Sequence, residues 1–164
     1  KNPQKRDLPY KRPIWIYVGR VAVEKNIKAF LDLDLEGTKL IIGKGPDLNN
    51  LRKKFPNDVF LGERTNGELA SHFASSDVFV FPSKTDTFGI VVLESLACGT
   101  PVAAYPVPGP KDILGGTKID TLDNDLKASA MKALKVSRED CLEFSKKYSW
   151  EETAKIFFDN ISPN

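Results

Sequence analysis

Short, fully apolar runs alternate along the chain with longer segments in which apolar residues recur every three or four positions. The runs predict five β-strands, at residues 14–18, 38–42, 58–61, 78–81 and 101–105. The longer segments predict helices over about 24–33, 48–54, 67–75, 88–98, 123–134, 138–147 and 151–160. Apolar strands separated by helices are typical of a parallel sheet that is covered on both faces. The pattern therefore predicts an α/β fold, a Rossmann-like three-layer α/β/α parallel sheet.

Glycine and proline mark the ends of these elements. Asn66 is expected to cap the helix that begins at Gly67, and Gly99 to terminate the helix before the fifth strand. A loop is expected at residues 106–110. Each of the first four strands ends in a loop with Gly or Pro, and ligands of parallel sheets bind beyond the carboxyl ends of the strands. We expect one edge of the sheet to bring together Arg20, residues 43–46, Gly62 and residues 86–89.

Composition limits the class of protein. The 164 residues, 41% hydrophobic and 28% charged, fit one globular domain. Residues 1–13, which are rich in proline and basic residues, are interpreted as a linker, and residues 14–164 as a single domain. A net charge of +2 does not indicate nucleic-acid binding. Cys98 and Cys141 lack a metal-type spacing, so we expect reduced thiols in a cytoplasmic protein.

The stretch from Ser83 to Glu94 carries the strongest chemical signal. Asp86 and Glu94 stand eight residues apart, around a turn and the start of a helix. A helix rises about 1.5 Å per residue, so this stretch spans roughly 12 Å, about the length of a hexose, a diphosphate and a ribose. The helix start offers unpaired N–H groups that suit phosphate. Asp86 is a candidate to bind sugar hydroxyls, the amides of residues 88–90 to bind phosphate, and Glu94 to bind ribose.

Both carboxylates also have plainer interpretations. Asp86 is a good helix cap, although Thr87 would serve equally well. Glu94 fits an ordinary exposed helix position, except that its surroundings are expected to be apolar. The neighbours expected to be buried are Val92, Leu93, Leu96 and Ala97.

Five stretches follow one another in a recognisable order. They are residues 17–26 with Gly-Arg and Glu-Lys, 43–46 with Gly-Lys-Gly-Pro, 76–83 ending in Phe-Pro-Ser, 85–102 with Thr-Asp-Thr-Phe-Gly and Ala-Cys-Gly-Thr-Pro-Val, and 148–151 with Tyr-Ser-Trp-Glu. Together they resemble the C-terminal, donor-binding domain of the retaining family-4 glycosyltransferases, the glycosyl transferases group 1. The resemblance covers about residues 14–160. It implies the C-terminal half of a GT-B glycosyltransferase, without its N-terminal acceptor domain.

The resemblance implies roles for individual residues. Arg20 and Lys25 would neutralise the departing diphosphate, and with Asp86 they form the implied catalytic set. The residues implied to bind the donor are Gly19, Gly43, Gly45, Thr87, Phe88, Gly89, Ile90 and Glu94. Lys44 is expected to be an ordinary solvated lysine. Asp86 stands where the family usually has Glu, which leaves the transferred sugar open.

The implied activity is transfer of a hexose from a nucleotide sugar to an acceptor with retention of configuration. UDP and GDP both remain open as the donor nucleotide, and neither a metal nor a cofactor is implied. The implied partners are the nucleotide sugar and an N-terminal acceptor-binding domain of the same protein, but no nucleic acid. A lipid acceptor, with peripheral membrane association, also fits the family. We expect the domain alone to bind donor weakly and not to turn it over.

Two other classes share the alternation of strands and helices. One is a flavodoxin-like nucleotide-binding or regulatory module, although the first strand ends in Gly19-Arg20 rather than in an acidic residue. The other is a dehydrogenase domain, which requires Gly-x-Gly-x-x-Gly after the first strand. The chain has Val21 where that motif has its second glycine.

Overall fold

A computed structural model of the chain contains one sheet of five parallel strands, in the order β3-β2-β1-β4-β5. The structure describes residues 5, 7–85 and 89–147. The strands are β1 (Ile14–Val18), β2 (Thr38–Ile42), β3 (Val59–Gly62), β4 (Val78–Phe81) and β5 (Val102–Ala104). The described helices are α1 (Ile27–Leu31), α2 (Leu48–Lys54), α3 (Asn66–Ser75), α4 (Ile90–Ala97), α5 (Pro108–Leu114), α6 (Leu126–Leu134) and α7 (Arg138–Ser145).

Alternate residues of each strand fill two separate hydrophobic cores. On β1, Trp15 and Tyr17 belong to the core that α1, α2 and α6 cover. Ile14 and Ile16 belong to the opposite core, which α3, α4, α5 and α7 cover. Within that second core the rings of Phe73 and Phe79 meet edge to face, with centroids 5.3 Å apart. The three-layer parallel sheet predicted from the apolar runs is therefore confirmed.

The strand order shows where a ligand site is expected. From β1 the chain builds outward through β2 to β3, and then continues on the other side of β1 with β4 and β5. The flavodoxin-like order would be 2-1-3-4-5, so the flavodoxin-like alternative is wrong in topology. In doubly wound sheets the ligand crevice lies where the direction of winding reverses. Here that point lies between β1 and β4.

The first predicted helix, over residues 24–33, is interrupted in the structure. A 3-10 turn at Val23–Lys25 is followed by α1, and Asn26 joins the two with φ of 58° and ψ of 31°. A left-handed residue cannot continue a right-handed helix, which explains the break.

Two further local predictions differ from the structure. Residues 106–110 do not form a loop throughout, because α5 begins at Pro108. Proline is favoured at the first helical position, where its missing N–H has no partner in any helix. The predicted cap at Asn66 is wrong, since Thr65 is the extended N-cap residue and Asn66 is the first residue of α3.

The predicted end of α4 at Gly99 is confirmed. Gly99 has a φ of 76°, which glycine adopts without strain. Its N–H donates to the Leu96 carbonyl at 2.9 Å, and the N–H of Thr100 donates to the Ser95 carbonyl at 3.0 Å. These two bonds form a Schellman motif that satisfies the last carbonyls of the helix.

The end of the predicted linker is bound to the domain through Asp77. The Arg12 guanidinium donates to the Asp77 carboxylate at 3.0 Å, and the same carboxylate accepts the N–H of Ile14 at 2.7 Å. The boundary between linker and domain near residue 13 stays a prediction. No helix in the described ranges has the length and apolar character needed to span a membrane.

Candidate functional site

A cleft opens beyond the carboxyl ends of β1, β2 and β3. Its volume is about 680 Å³, within the range of small-molecule sites. It is lined by Val18, Gly19, Arg20, Ile42, Gly43, Lys44, Gly45, Glu63, Arg64, Asn66 and Leu69. The cleft confirms the predicted meeting of Arg20 with residues 43–45, whereas Pro46, Gly62 and Gly89 do not line it. Residues 86–88 lie outside the described part of the chain.

Backbone packing between two loops forms the floor of this cleft. The N–H of Gly19 donates to the Ile42 carbonyl at 3.0 Å, and the N–H of Val21 donates to the Lys44 carbonyl at 2.9 Å. A Cβ at Gly43 would lie 1.8 Å from the carbonyl oxygen of Gly19, and a Cβ at Gly45 would lie 2.2 Å from that of Val21. Gly43 and Gly45 are thus required for the close approach of the two loops.

Arg20 lies at the end of β1, in the wall of the cleft. The hydroxyl of Tyr17 donates to its carbonyl at 2.8 Å and fixes the local backbone. Its guanidinium donates to Glu24 at 3.2 Å, and both side chains are more than half exposed. Exposed ion pairs of this kind contribute little free energy, so Glu24 can be exchanged for an incoming anion.

Lys25 is the last residue of the 3-10 turn that follows Arg20, and it is half-buried. It is not among the cleft-lining residues, so the structure places the two predicted cations on one loop but only Arg20 in the cleft wall. The turn ends at the left-handed Asn26, which reverses the chain into α1.

The outer rim of the cleft carries three charged residues, Lys44, Glu63 and Arg64. Lys44 is largely exposed, as expected, and its ammonium lies 3.1 Å from the similarly exposed Glu63 carboxylate. Arg64 donates to the carbonyl of Glu63 at 3.0 Å. Glu63 and Arg64 follow directly after β3. The rule that ligands bind beyond the carboxyl ends of strands, which selected Gly62, therefore applies to them as well.

Glu94 projects from α4, which begins after Gly89 without a side-chain cap. Val92, Leu93 and Leu96 are buried as expected, whereas Ala97 is exposed. The Glu94 side chain reaches solvent, but the protein around it displaces enough water to raise the pKa of this carboxylate above its ordinary value.

Cys98, the C-cap residue of α4, lies one turn beyond Glu94. Burial, and then the nearby Glu94 carboxylate, raise the pKa of Cys98 to about 11. Cys98 and Cys141 are both free thiols. Glu94 and Cys98 are four residues apart and therefore share one face at the end of α4.

The cleft brings together four of the predicted site residues: Gly19, Arg20, Gly43 and Gly45. Gly89 and Ile90, at the start of α4, and Glu94, one turn further along, lie on the far side of the switch point and do not line the cleft. Asp86, Thr87 and Phe88 lie outside the described residues, as do residues 148–164 with the predicted last helix. The roles of all these residues stay predictions.

The sequence model of one protein family matches most of the chain. The family is described as "Glycosyl transferases group 1", and the match covers residues 1–147.

Curated relatives carry related activities in their names. Sulfoquinovosyl transferase SQD2 of Arabidopsis thaliana is 41% identical over 108 residues, which are 63% of this chain and 21% of the relative. A GDP-mannose-dependent alpha-mannosyltransferase of Mycobacterium tuberculosis (strain CDC 1551 / Oshkosh) is 40% identical over 113 residues, 68% of this chain and 30% of the relative. The chain thus spans less than a third of the length of these relatives.

A solved structure shares the fold. The pneumococcal O-GlcNAc transferase GtfA, in complex with UDP and GlcNAc, matches with a TM-score of 0.68 at 15% identity. The match covers 97% of this chain and 37% of that one. The fold is therefore that of the C-terminal half of a GT-B glycosyltransferase, as the sequence predicts.

Proposed function

Because the chain belongs to the glycosyl transferases group 1, we propose that it is the donor-binding domain of a hexosyltransferase. It binds a nucleoside-diphosphate sugar and supports transfer of the sugar, with retention of configuration, to an acceptor held by an N-terminal domain of the same protein. Two of the relatives support this class of donor. One is named for its dependence on GDP-mannose, and the solved neighbour was crystallised with UDP and GlcNAc.

The observation that carries the proposal is the position of Arg20 in the wall of the cleft, at the carboxyl edge of the sheet. A guanidinium forms paired hydrogen bonds with phosphate oxygens, and its exposed partner Glu24 is readily displaced. The cleft holds the base, and Arg20 contacts the diphosphate where the donor leaves the cleft.

The proposed chemistry assigns each group to charge that develops as the glycosidic bond breaks. The leaving nucleoside diphosphate gains negative charge, which Arg20, Lys25 and the N–H groups at the start of α4 stabilise. Glu94 accepts hydrogen bonds from the ribose hydroxyls, and Asp86 from the sugar. Holding the sugar in a fixed orientation toward the acceptor supplies a further part of the rate.

Isothermal titration calorimetry with UDP and GDP tests this proposal. At least one of the two nucleotides binds the wild-type chain with a Kd in the millimolar range or tighter. Glu94→Ala weakens that binding, whereas Glu36→Ala, in the exposed loop before β2, leaves it unchanged. No binding of either nucleotide at millimolar concentration would contradict the proposal, and so would unchanged binding by Glu94→Ala.

A further inference from the structure

One hydrogen bond crosses the switch point between β1 and β4. The side-chain amide of Asn26 donates through Nδ2 to the carbonyl of Pro82 at 2.9 Å. Asn26 follows the turn that carries Lys25, while Pro82 follows directly after β4. The bond therefore joins the loop of the predicted cations to the segment that leads toward α4.

The strands themselves do not supply this link at the site edge. β1 and β4 pair at Trp15 with Val78 and at Ile16 with Phe79. Both strands continue for two more residues toward the site, to Val18 and Phe81, beyond the second of these pairs. The two loops consequently leave the sheet where the ladder between their strands has ended, and Asn26 bridges them.

Asn26 combines a left-handed backbone with a side-chain hydrogen-bond donor. Among the described residues it is the only non-glycine residue with positive φ. Asparagine tolerates the left-handed region better than most side chains, and glycine tolerates it fully. Glycine would therefore satisfy the backbone here, whereas only asparagine also supplies a donor to Pro82.

The backbone of Asn26 is held as firmly as its side chain. Its N–H donates to the Val23 carbonyl at 3.1 Å, and its carbonyl accepts the N–H of Ala29 at 3.1 Å. The side-chain amide thus extends from a fixed point, and the Pro82 carbonyl that it binds belongs to a buried residue. A bond between two fixed points sets the separation of the loops.

We propose that Asn26 is a positioning residue. It holds the Arg20–Lys25 loop at the distance from the Pro82–Ser83 segment at which these two loops together contact one diphosphate sugar. This inference rests on the proposed function. It predicts that replacing Asn26 weakens the binding of ligands that reach both loops more than the binding of ligands that contact one loop.

The test compares Asn26→Gly with the wild type in calorimetric titrations with GMP, GDP-mannose, UMP and UDP-glucose. Glycine keeps the left-handed backbone and removes only the side-chain bond. We expect about threefold to tenfold weaker binding of the nucleotide sugar that the wild type binds, in line with the loss of one hydrogen bond. Binding of the corresponding monophosphate is expected to change less than twofold. Asn57→Gly, in an exposed turn before β3, is the matched control and is expected to change neither.

The outcomes separate this inference from the proposed function. If the wild type binds a nucleotide sugar and Asn26→Gly binds it equally well, the positioning role is wrong and the proposed function stands. An equal loss for the sugar nucleotide and the monophosphate would indicate general damage to the fold and would also overturn the positioning role. If the wild type binds none of the four probes, the proposed function fails and this inference fails with it.

Discussion

The hydroxyl of Tyr17 lies 2.8 Å from the carbonyl oxygen of Arg20 and donates a hydrogen bond to it. Tyr17 is buried in the core below the sheet, while the Arg20 side chain lies in the wall of the cleft. The bond thus couples a core residue to the backbone of the cation that is proposed to bind diphosphate.

Tyr17→Phe removes this bond and leaves the Arg20 carbonyl without that donor. We expect a loss of about 1 kcal/mol in the free energy of unfolding, measured by urea denaturation. Binding of the nucleoside diphosphate is expected to weaken severalfold, because the Arg20 backbone is less constrained. Tyr10→Phe, at a half-buried tyrosine that precedes β1, is the control and is expected to leave nucleotide binding unchanged. Wild-type affinity in Tyr17→Phe would show that the bond has no role in the site.

Gly43→Ala is expected to disrupt the floor of the cleft. Its Cβ would lie 1.8 Å from the Gly19 carbonyl oxygen, and Gly43 has a φ of 146°. The expected loss is about 3 kcal/mol or more in the free energy of unfolding. Gly67→Ala is the matched control, since a Cβ there meets nothing within 4 Å and the residue lies in α3. That change is expected to be neutral or to stabilise by up to about 1 kcal/mol. Equal thermal stability of the two variants would contradict the close approach.

Arg138, the first residue of α7, connects this helix to the ends of α3 and α4, far from the cleft. Its guanidinium donates to the carbonyls of Ala74 at 2.5 Å and Ser76 at 2.7 Å, and at longer range to the carbonyl of Cys98. Arg138→Met removes these hydrogen bonds, and we expect a loss of about 2–4 kcal/mol in unfolding free energy. Arg138→Lys recovers only part of it, because an ammonium cannot reproduce the planar fork.

The control for Arg138 is Arg52→Lys. Arg52 is exposed and donates to the carbonyl of Phe60 at 3.3 Å, so its replacement is expected to cost less than about 0.5 kcal/mol. A fully stable Arg138→Lys variant in urea denaturation would show that charge alone, and not the fork, is required.

Glu94 is expected to make the stability of the chain depend on pH. The folded protein raises the pKa of this carboxylate, so between the ordinary value and the raised value the native state binds more protons than the unfolded state. Stability contributed by this group therefore falls as pH rises through that window. Glu94→Gln removes the dependence, and it is expected to be more stable than the wild type at pH 7 but to bind nucleotide more weakly.

The measurement is urea denaturation of the wild type and Glu94→Gln from pH 4 to pH 8. The stability difference in favour of Glu94→Gln is expected to be smallest at the acidic end and to grow with rising pH. Glu36→Gln, at an exposed loop glutamate, is the control. A difference that shrinks as pH rises would mean that the folded protein stabilises the charged form of Glu94.

Much of the fold follows from the apolar runs. Strands such as β1 and β4 have no polar face, so their burial on both sides and the parallel sheet are predictable from composition alone. Asn26 was not recognised as a helix break, because its hydrogen-bond partner Pro82 lies 56 residues away and leaves no sign in the local pattern. Likewise Pro108 is typical of a loop in the sequence, whereas in the structure it is the first residue of α5.

The candidate site was predictable in part. The strand-end rule selects Arg20, Gly43 and Gly45, and the family resemblance adds Gly19; the structure brings these four together in the cleft. The strand-end rule gives no side-chain geometry, so the pair between Lys44 and Glu63 on the rim was missed. The spacing between Asp86 and Glu94 predicts a length along the chain, but it does not say on which side of the switch point the nucleoside lies.

A crystal structure of the chain with GDP or UDP tests the central claim most directly. The account predicts the base in the cleft beyond β1 to β3, with the diphosphate within hydrogen-bond distance of Arg20 and the ribose hydroxyls on Glu94. A nucleotide bound at the amino ends of the strands, or one whose phosphates contact neither Arg20 nor the start of α4, would contradict it.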